Sequence, residues 1–504
     1  MKQLGIVGAG AMGRGIAQVC AAAGCDVRLY DAAPEAPGKA ILALRQDLEQ
    51  AVAKGRLTDQ AAQETLARLH PVMTLEALAG CELVVEAIVE SLPVKQALFQ
   101  QLEPIVGPDC VLATNTSSLS VTAIAAACDR PDRLAGWHFF NPVPRMRVVE
   151  VIAAPRTDPR CVDALVRLSE RVGHRPVVTS DSPGFVVNHA GRAFVTEGLK
   201  LLAEQTAPHA VLDLILRQCA GFRMGPFELL DLTALDVSVP VMESIHSQYY
   251  GDDRYRPAAF ARTRMVAGLL GRKSGEGFYK YEGGVAQVPL SHPASIATPV
   301  AGLPPRLWWP TEGDCALPGH LATLFDTAPR ASRPQDADLL LLAPLGSDLT
   351  TAVSELGLAA EKAVGVDPLF GGASGVTLMT TAATEPGLAA ALQALVTARG
   401  TPAHLVADSP GFVAPRVVAC IVNLACEMAQ QGIASPVDID AAVRLGLGYP
   451  AGPFEWGDRL GPGRILQVLA GLYATFGDPR YRPAPWLVRR ARLGLSLSAP
   501  DRRV

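Results

Sequence analysis

Ser117, His138 and Glu150 lie along one stretch of the chain in a pattern that could oxidise an alcohol. The stretch reads N-T-S-S-L from Asn115, H-F-F-N-P-V-P from His138 and V-V-E-V from Val148. An imidazole titrates near neutral pH and can take the proton of a secondary alcohol while a cofactor takes its hydride. Alone, a histidine beside two phenylalanines is more often a packed core residue. Glu150 weakens that account, because a carboxylate inside an apolar run is costly to bury unless something pairs with it. If Val148 to Ile152 neighbours the strand ending at His138, the carboxylate can fix the imidazole tautomer and stabilise the imidazolium. Ser117 can meet the substrate oxygen; a helix N-cap in S-S-L-S accounts for it nearly as well.

The elements that position these side chains begin at the N-terminus. Gln3 to Val7 is a short apolar run, followed by Gly8-Ala9-Gly10-Ala11-Met12-Gly13 and a helical pattern through Ala23. Asp26 to Tyr30 then reads as a second strand, ending at Asp31. Gly8 permits a tight turn, Gly10 lets the backbone approach a pyrophosphate, and Gly13 lets helix pack on strand. The helix N-terminus offers unpaired N–H groups to the phosphates. Asp31 stands where a carboxylate binds the adenosine ribose and repels a 2′-phosphate, which favours NAD over NADP. Strand, helix, strand and terminal acid in this order outweigh a chance glycine-rich turn. Gly8, Gly10, Ala11, Met12, Gly13 and Asp31 are therefore candidate cofactor-binding residues.

Further strand candidates are Leu83 to Ala87, Val111 to Ala113, Leu134 to Trp137, Val148 to Ile152 and Pro176 to Val178. Helical stretches separate most of them, as in an α/β doubly wound parallel sheet. Glu90, Asn115, Ser117 and His138 all fall just after these candidates, at the rim where ligands of such sheets sit. The segment from Glu35 to Leu69 reads as a helical hairpin with its tip at Lys54-Gly55-Arg56. A solvated helix end explains that tip about as well as a phosphate contact does.

The chain of 504 residues is too long for one core and predicts two to four domains. With 19% charged residues and a net charge of −4, it has no polyelectrolyte character, so no nucleic-acid partner is expected. No apolar run reaches membrane-spanning length, so no membrane partner is expected either. The first residues enter a strand at once and leave no room for a signal peptide. Ten cysteines without a C-x-x-C pair read as reduced residues of a cytoplasmic enzyme, with no metal site.

G-A-G-A-M-G, V-V-E-A-I-V-E, N-T-S-S-L, H-F-F-N-P-V-P, D-S-P-G-F-V-V-N and G-P-F-E-L-L-D, in this order, resemble the L-3-hydroxyacyl-CoA dehydrogenases. The resemblance runs through about the first 280 residues. It implies a Rossmann-type NAD-binding domain followed by a mostly α-helical domain. It also implies His138 as base, Glu150 as its partner, Ser117 near the substrate hydroxyl and nicotinamide, and Asn188 near the substrate carbonyl. Asp31, Glu90, Lys95, Asn141 and Lys273 match positions that meet NAD, with Asn115 and Ser117 counted beside them and Glu86 a weaker candidate. The family binds coenzyme A through the hairpin. Here leucine and glycine replace the serine and lysine of its mammalian members, leaving Lys54 and Arg56 as substitutes.

The chain also repeats itself. D-S-P-G-F-V at 181–186 returns at 408–413 and G-P-F-E at 225–228 returns at 452–455, both offset by 227 residues. Tandem copies of a mostly helical unit explain this. Pro415 replaces Asn188 in the second copy and offers no side-chain hydrogen bond, so one active site is expected. The expected domains are an NAD-binding domain with the hairpin at 1–181, a first helical copy at 182–282 and a linker at 283–318. A degenerate Rossmann-like domain at 319–407 and a second helical copy at 408–504 follow. Its strand candidates are Leu339 to Leu342, Val376 to Thr380 and His404 to Ala407. The second helical copy is expected to pack on the first, either mimicking a dimer within one chain or joining a true homodimer.

The activity implied is NAD-dependent oxidation of (S)-3-hydroxyacyl-CoA. Among long members of the family, 3-hydroxyadipyl-CoA of phenylacetate breakdown is the substrate expected first and 3-hydroxybutyryl-CoA second. Arg145 and Arg147 could meet a distal carboxylate or be solvated turn residues. A 3-hydroxyacid or polyol dehydrogenase is a rival, but such enzymes use a lysine as acid–base. A non-catalytic NAD-binding structural protein is the other.

Overall fold

Three segments, L-V-V-E at 83–86, V-L-A-T at 111–114 and L-A-G-W-H-F at 134–139, are buried at every position. A strand with no exposed face must be covered by helices on both sides, the condition of a central strand in a parallel sheet. The computed structural model describes residues 1–287 and 305–501, and it places these segments in an eight-stranded sheet. The strands are β1 (Gln3–Val7), β2 (Asp26–Tyr30), β3 (Leu69–Pro71), β4 (Leu83–Glu86), β5 (Val111–Thr114), β6 (Leu134–Phe139), β7 (Val148–Ala153) and β8 (Arg175–Ser180). Their order is β3-β2-β1-β4-β5-β6-β7-β8, and all neighbours are parallel except β6 and β7. One apolar core covers each face.

The antiparallel β6–β7 pair departs from the all-parallel expectation. Residues 140–147 are too few for a helical crossover, so the chain doubles back. The pairing also carries β6 through Phe139, so His138 lies within the strand rather than after it, directly opposite Glu150. The short edge strand β3 was not among the strands expected. The hairpin forms as helices Ala36–Ala53 and Asp59–Ala67, the second capped by the Thr58 hydroxyl, with Gly55 in a left-handed turn between them.

By contacts the chain divides into two units, Met1–His189 with Gln431–Leu447 and Ala190–Gln430 with Gly448–Val504. The helix Pro436–Gly446 of the second helical copy thus belongs with the eight-stranded sheet, a grouping that cuts across the expected boundaries.

The second unit holds a hairpin of β9 (Lys280–Glu282) and β10 (Val285–Gln287) and a five-stranded sheet. That sheet comprises β11 (Leu307–Trp308), β12 (Leu339–Leu342), β13 (Ala363–Val366), β14 (Val376–Thr380) and β15 (Ala403–Ala407). Its order is sequential, with only β13–β14 antiparallel, so it reproduces β4 to β8 without the glycine-rich half. Most of the expected linker, residues 288–304, lies outside the described residues.

Helices Arg192–Ala203 and Ala414–Gln430, counterparts in the two copies, pack against each other. Fully buried Arg416 donates to Glu197 at 2.6 Å, to Glu204 at 2.7 Å and to the Tyr481 hydroxyl at 2.8 Å. The counterpart arginines Arg254 and Arg480 each donate to a carbonyl of the other copy, Arg482 and Arg256. Such reciprocity is what an isologous interface produces.

Candidate active site

His138 and Glu150 face each other across β6 and β7, and Nδ1 of the imidazole lies 2.6 Å from Oε2 of the carboxylate. Glu150 is fully buried, and its other oxygen, Oε1, accepts the backbone N–H groups of Val186 at 2.9 Å and Val187 at 2.8 Å. Those amides open the helix Val187–Ala190. The D-S-P-G-F turn aims them, with both Gly184 and Phe185 in the left-handed region, a conformation phenylalanine adopts at a cost. With Nδ1 as donor, three donors surround the carboxylate and fix its orientation. Nε2 is then the basic nitrogen. Phe140 and Phe185 flank the imidazole at ring-centre distances of 4.5 and 5.9 Å.

Asn188 sits half-buried one residue beyond Val187. Ser117 is exposed, and its N–H donates to Glu90 at 3.0 Å. The cap considered for it belongs to Ser120 instead, whose hydroxyl accepts from Ala123 at the start of helix Val121–Ala125. Asn115 accepts the Phe139 N–H at 2.8 Å and so pins the end of β6 beside β5.

Glu90 is the electrostatic centre of the rim. One of its oxygens takes the Thr116 hydroxyl and the N–H groups of Ser117 and Ser118, and the other meets Lys95 at 3.2 Å. Burial works to raise its pKa, but these hydrogen bonds and Lys95 outweigh it and hold Glu90 at about 2. Lys95 is itself 1% exposed and bonded to buried Glu86 at 2.5 Å, so its ammonium acts behind Glu90 rather than at the surface. Glu86 accepts from Thr114 and Ile88 as well.

The glycine-rich turn fits a dinucleotide. A Cβ on Gly13 would stand 1.8 Å from the Gly8 carbonyl oxygen, so only glycine lets the helix Ala11–Ala22 approach the turn. Nothing lies within 4 Å of a Cβ on Gly10, which is exposed at the N-terminus of that helix with no side-chain cap. Ala11 and Met12 follow it. Asp31 accepts from Ala9 at 2.7 Å and from Ala33, joining the end of β2 to the turn. These residues suit a pyrophosphate and ribose.

Lys54 and Arg56 line a cavity of about 430 Å³ with Arg14, Arg145 and Asp47, and exposed Asn141 lies at its wall. Four cations against one carboxylate give its lining an excess of positive charge. Arg14 was missed in the sequence, although it directly follows the last glycine of the turn. Arg147 lines a neighbouring cavity. Lys273 lies in the second unit, exposed and paired with Asp236. Among the described residues no cluster has metal-binding character, and no helix is long and apolar enough to cross a membrane.

The 3-hydroxyacyl-CoA dehydrogenase NAD-binding domain matches residues 3–182, and the family's C-terminal domain matches twice, at 184–281 and 411–499. The 3-hydroxyadipyl-CoA dehydrogenase of Escherichia coli K12 is 37% identical over 98% of both chains. A probable 3-hydroxybutyryl-CoA dehydrogenase of Deinococcus radiodurans is 42% identical, covering 55% of this chain and all of its own. A crystal structure of 3-hydroxybutyryl-CoA dehydrogenase from Escherichia coli K12 matches over 98% of both chains with a TM-score of 0.85 and 37% identity. The chain belongs to the 3-hydroxyacyl-CoA dehydrogenase family and is an NAD-dependent oxidoreductase.

Proposed function

We propose that the chain oxidises 3-hydroxyadipyl-CoA at a single centre built on His138 and Glu150. The observation that carries the site is the hydrogen-bond chain from the Val186 and Val187 amides through Glu150 to Nδ1 of His138. His138 Nε2 takes the hydroxyl proton of the substrate, and Glu150 stabilises the imidazolium that forms. The acceptor for the hydride at C3 would be supplied by NAD held at the glycine-rich turn. Ser117 and Asn188 orient the hydroxyl and thioester carbonyl, while the turn, Asp31 and Glu90 hold the dinucleotide, with Asn115 and Asn141 assigned to the same cofactor. Holding the reactants in line supplies much of the rate.

Arg14, Lys54, Arg56 and Arg145 are assigned to the phosphates of coenzyme A. The adipyl assignment rests on the full-length relative that carries that name. 3-Hydroxybutyryl-CoA is the second reading, on the name of the full-length structural match. The reciprocal packing of the helical copies supports a chain that serves as its own dimer, and the cytoplasm is its expected location. Following NADH absorbance with adipyl, butyryl and longer 3-hydroxyacyl thioesters tests the substrate. The highest kcat/KM is expected for the adipyl compound. A preference of about tenfold for butyryl would overturn that assignment and leave the site intact.

A further inference from the structure

The segment 431–447 comes from the second helical copy, yet it is bound to the strands behind Glu150. At one end the Ile433 carbonyl accepts the Ser180 N–H and the Thr179 hydroxyl, both at 3.0 Å, along β8. Asp438 pairs with Arg175 at 2.9 Å at the other end of that strand. At its far end the helix Pro436–Gly446 reaches Gly446. A Cβ there would stand 3.1 Å from both γ-methyls of Val187 and 3.6 Å from Val148. Val187 supplies an N–H that holds Glu150, and Val148 begins the strand that carries Glu150.

The first copy makes the same dock on the second sheet, in the second unit. The Ala407 N–H, counterpart of Ser180, donates to the Thr206 carbonyl, counterpart of Ile433, at 2.8 Å. There, however, bulk and space are exchanged. Cys219 occupies the place of Gly446, and Gly375 occupies the place of Val148, with a Cβ on Gly375 only 3.1 Å from the Cys219 sulfur. Docking is thus inherited by both halves, and the valine-on-glycine contact belongs to the half that keeps the histidine–glutamate pair.

We propose that the helix Pro436–Gly446 is a positioning element for catalysis, with Gly446 the residue that lets Val187 keep its N–H aimed at Glu150. Gly446 touches neither substrate nor cofactor. It acts through Val187, then Glu150, then the imidazole. A side chain at 446 must push Val187 aside, lengthening the Val187–Glu150 hydrogen bond and freeing the carboxylate to turn from His138. The imidazolium is then less stabilised, so the acid limb of kcat/KM against pH moves to lower pH. This inference rests on His138 being the base.

The test uses the full-length chain and the NADH assay. Gly446→Val is expected to lower kcat about tenfold or more, with NAD affinity unchanged and the acid limb moved down by about half a pH unit. Adding Val187→Ala, which returns the volume, is expected to restore most of the loss. The mirror substitution Cys219→Val is expected to leave kcat and the pH profile unchanged. Wild-type kcat and pH profile in Gly446→Val would overturn the proposal. So would a loss that Val187→Ala does not relieve, or an equal loss in Cys219→Val. Should Gly446→Val not fold, Gly446→Ala with and without Val187→Ala carries the same test. His138→Gln in the same assay separates the two readings. Full turnover there removes the base, whereas lost turnover there with none lost in Gly446→Val removes only the positioning role.

Discussion

The strand pairs β6–β7 and β13–β14 share a fold and differ in what they bury. In the first, His138 faces Glu150, and every oxygen of the carboxylate has a donor. In the second, the next pair beyond Val366 and Leu378 is Asp367 and Thr377. Asp367 Oδ1 accepts the Leu369 and Phe370 N–H groups, while Oδ2 has no hydrogen-bond partner among the described residues. Burial pushes the Asp367 carboxyl up to about 7. A buried acid becomes catalytic equipment when a neighbour shares its charge; without one it is a cost that the surrounding apolar packing must offset.

The largest separation between the two regions is expected from His138→Gln, which should lower kcat by about two to four orders of magnitude with NAD affinity retained. Steady-state kinetics and a binding titration check it, and wild-type turnover would break the comparison. Glu150→Gln keeps the shape but removes the charge that stabilises the imidazolium. Its kcat should fall by about 10²-fold.

Asp367→Asn should leave kcat unchanged and act on stability instead. A carboxyl raised from 3.8 to about 7 contributes stability that is present below its unfolded pKa and lost as pH rises through its folded pKa. The wild-type chain should therefore lose stability between about pH 4 and pH 7, and Asp367→Asn should raise Tm at pH 8 by a few degrees with little change at pH 4. Asp213, raised by burial to about 7 as well, adds a dependence of the same sign that this substitution leaves in place. The smallest effect is expected for Arg145→Ala, a rise in thioester KM of about two- to fivefold. An equal rise across acyl groups places Arg145 on coenzyme A, whereas a rise confined to the adipyl substrate places it on the distal carboxylate.

Much of the first region was legible because its signals are local. The glycine-rich turn needs backbone space at fixed positions, and a carboxylate inside V-V-E-V demands a partner. The duplication showed as repeated turns that only particular residues tolerate, with Phe185 and Phe412 in the same left-handed conformation. What was hidden depended on pairing between distant segments. β13, the short run A-V-G-V, carries no period of its own. Lys95, matched by resemblance to a position that meets NAD, is buried against Glu86, a pairing between β4 and the helix after it that no local pattern marks. The docking of 431–447 behind Glu150 follows from how two copies exchange helices, which neither copy encodes alone.

One NAD-dependent centre per chain, in the sheet that keeps the glycine-rich turn, is the central claim. Calorimetric titration of the full-length chain with NAD tests it most directly. One molecule bound per chain, with affinity lost in Asp31→Ala, is the expected result; two per chain, or unchanged binding in Asp31→Ala, would contradict it.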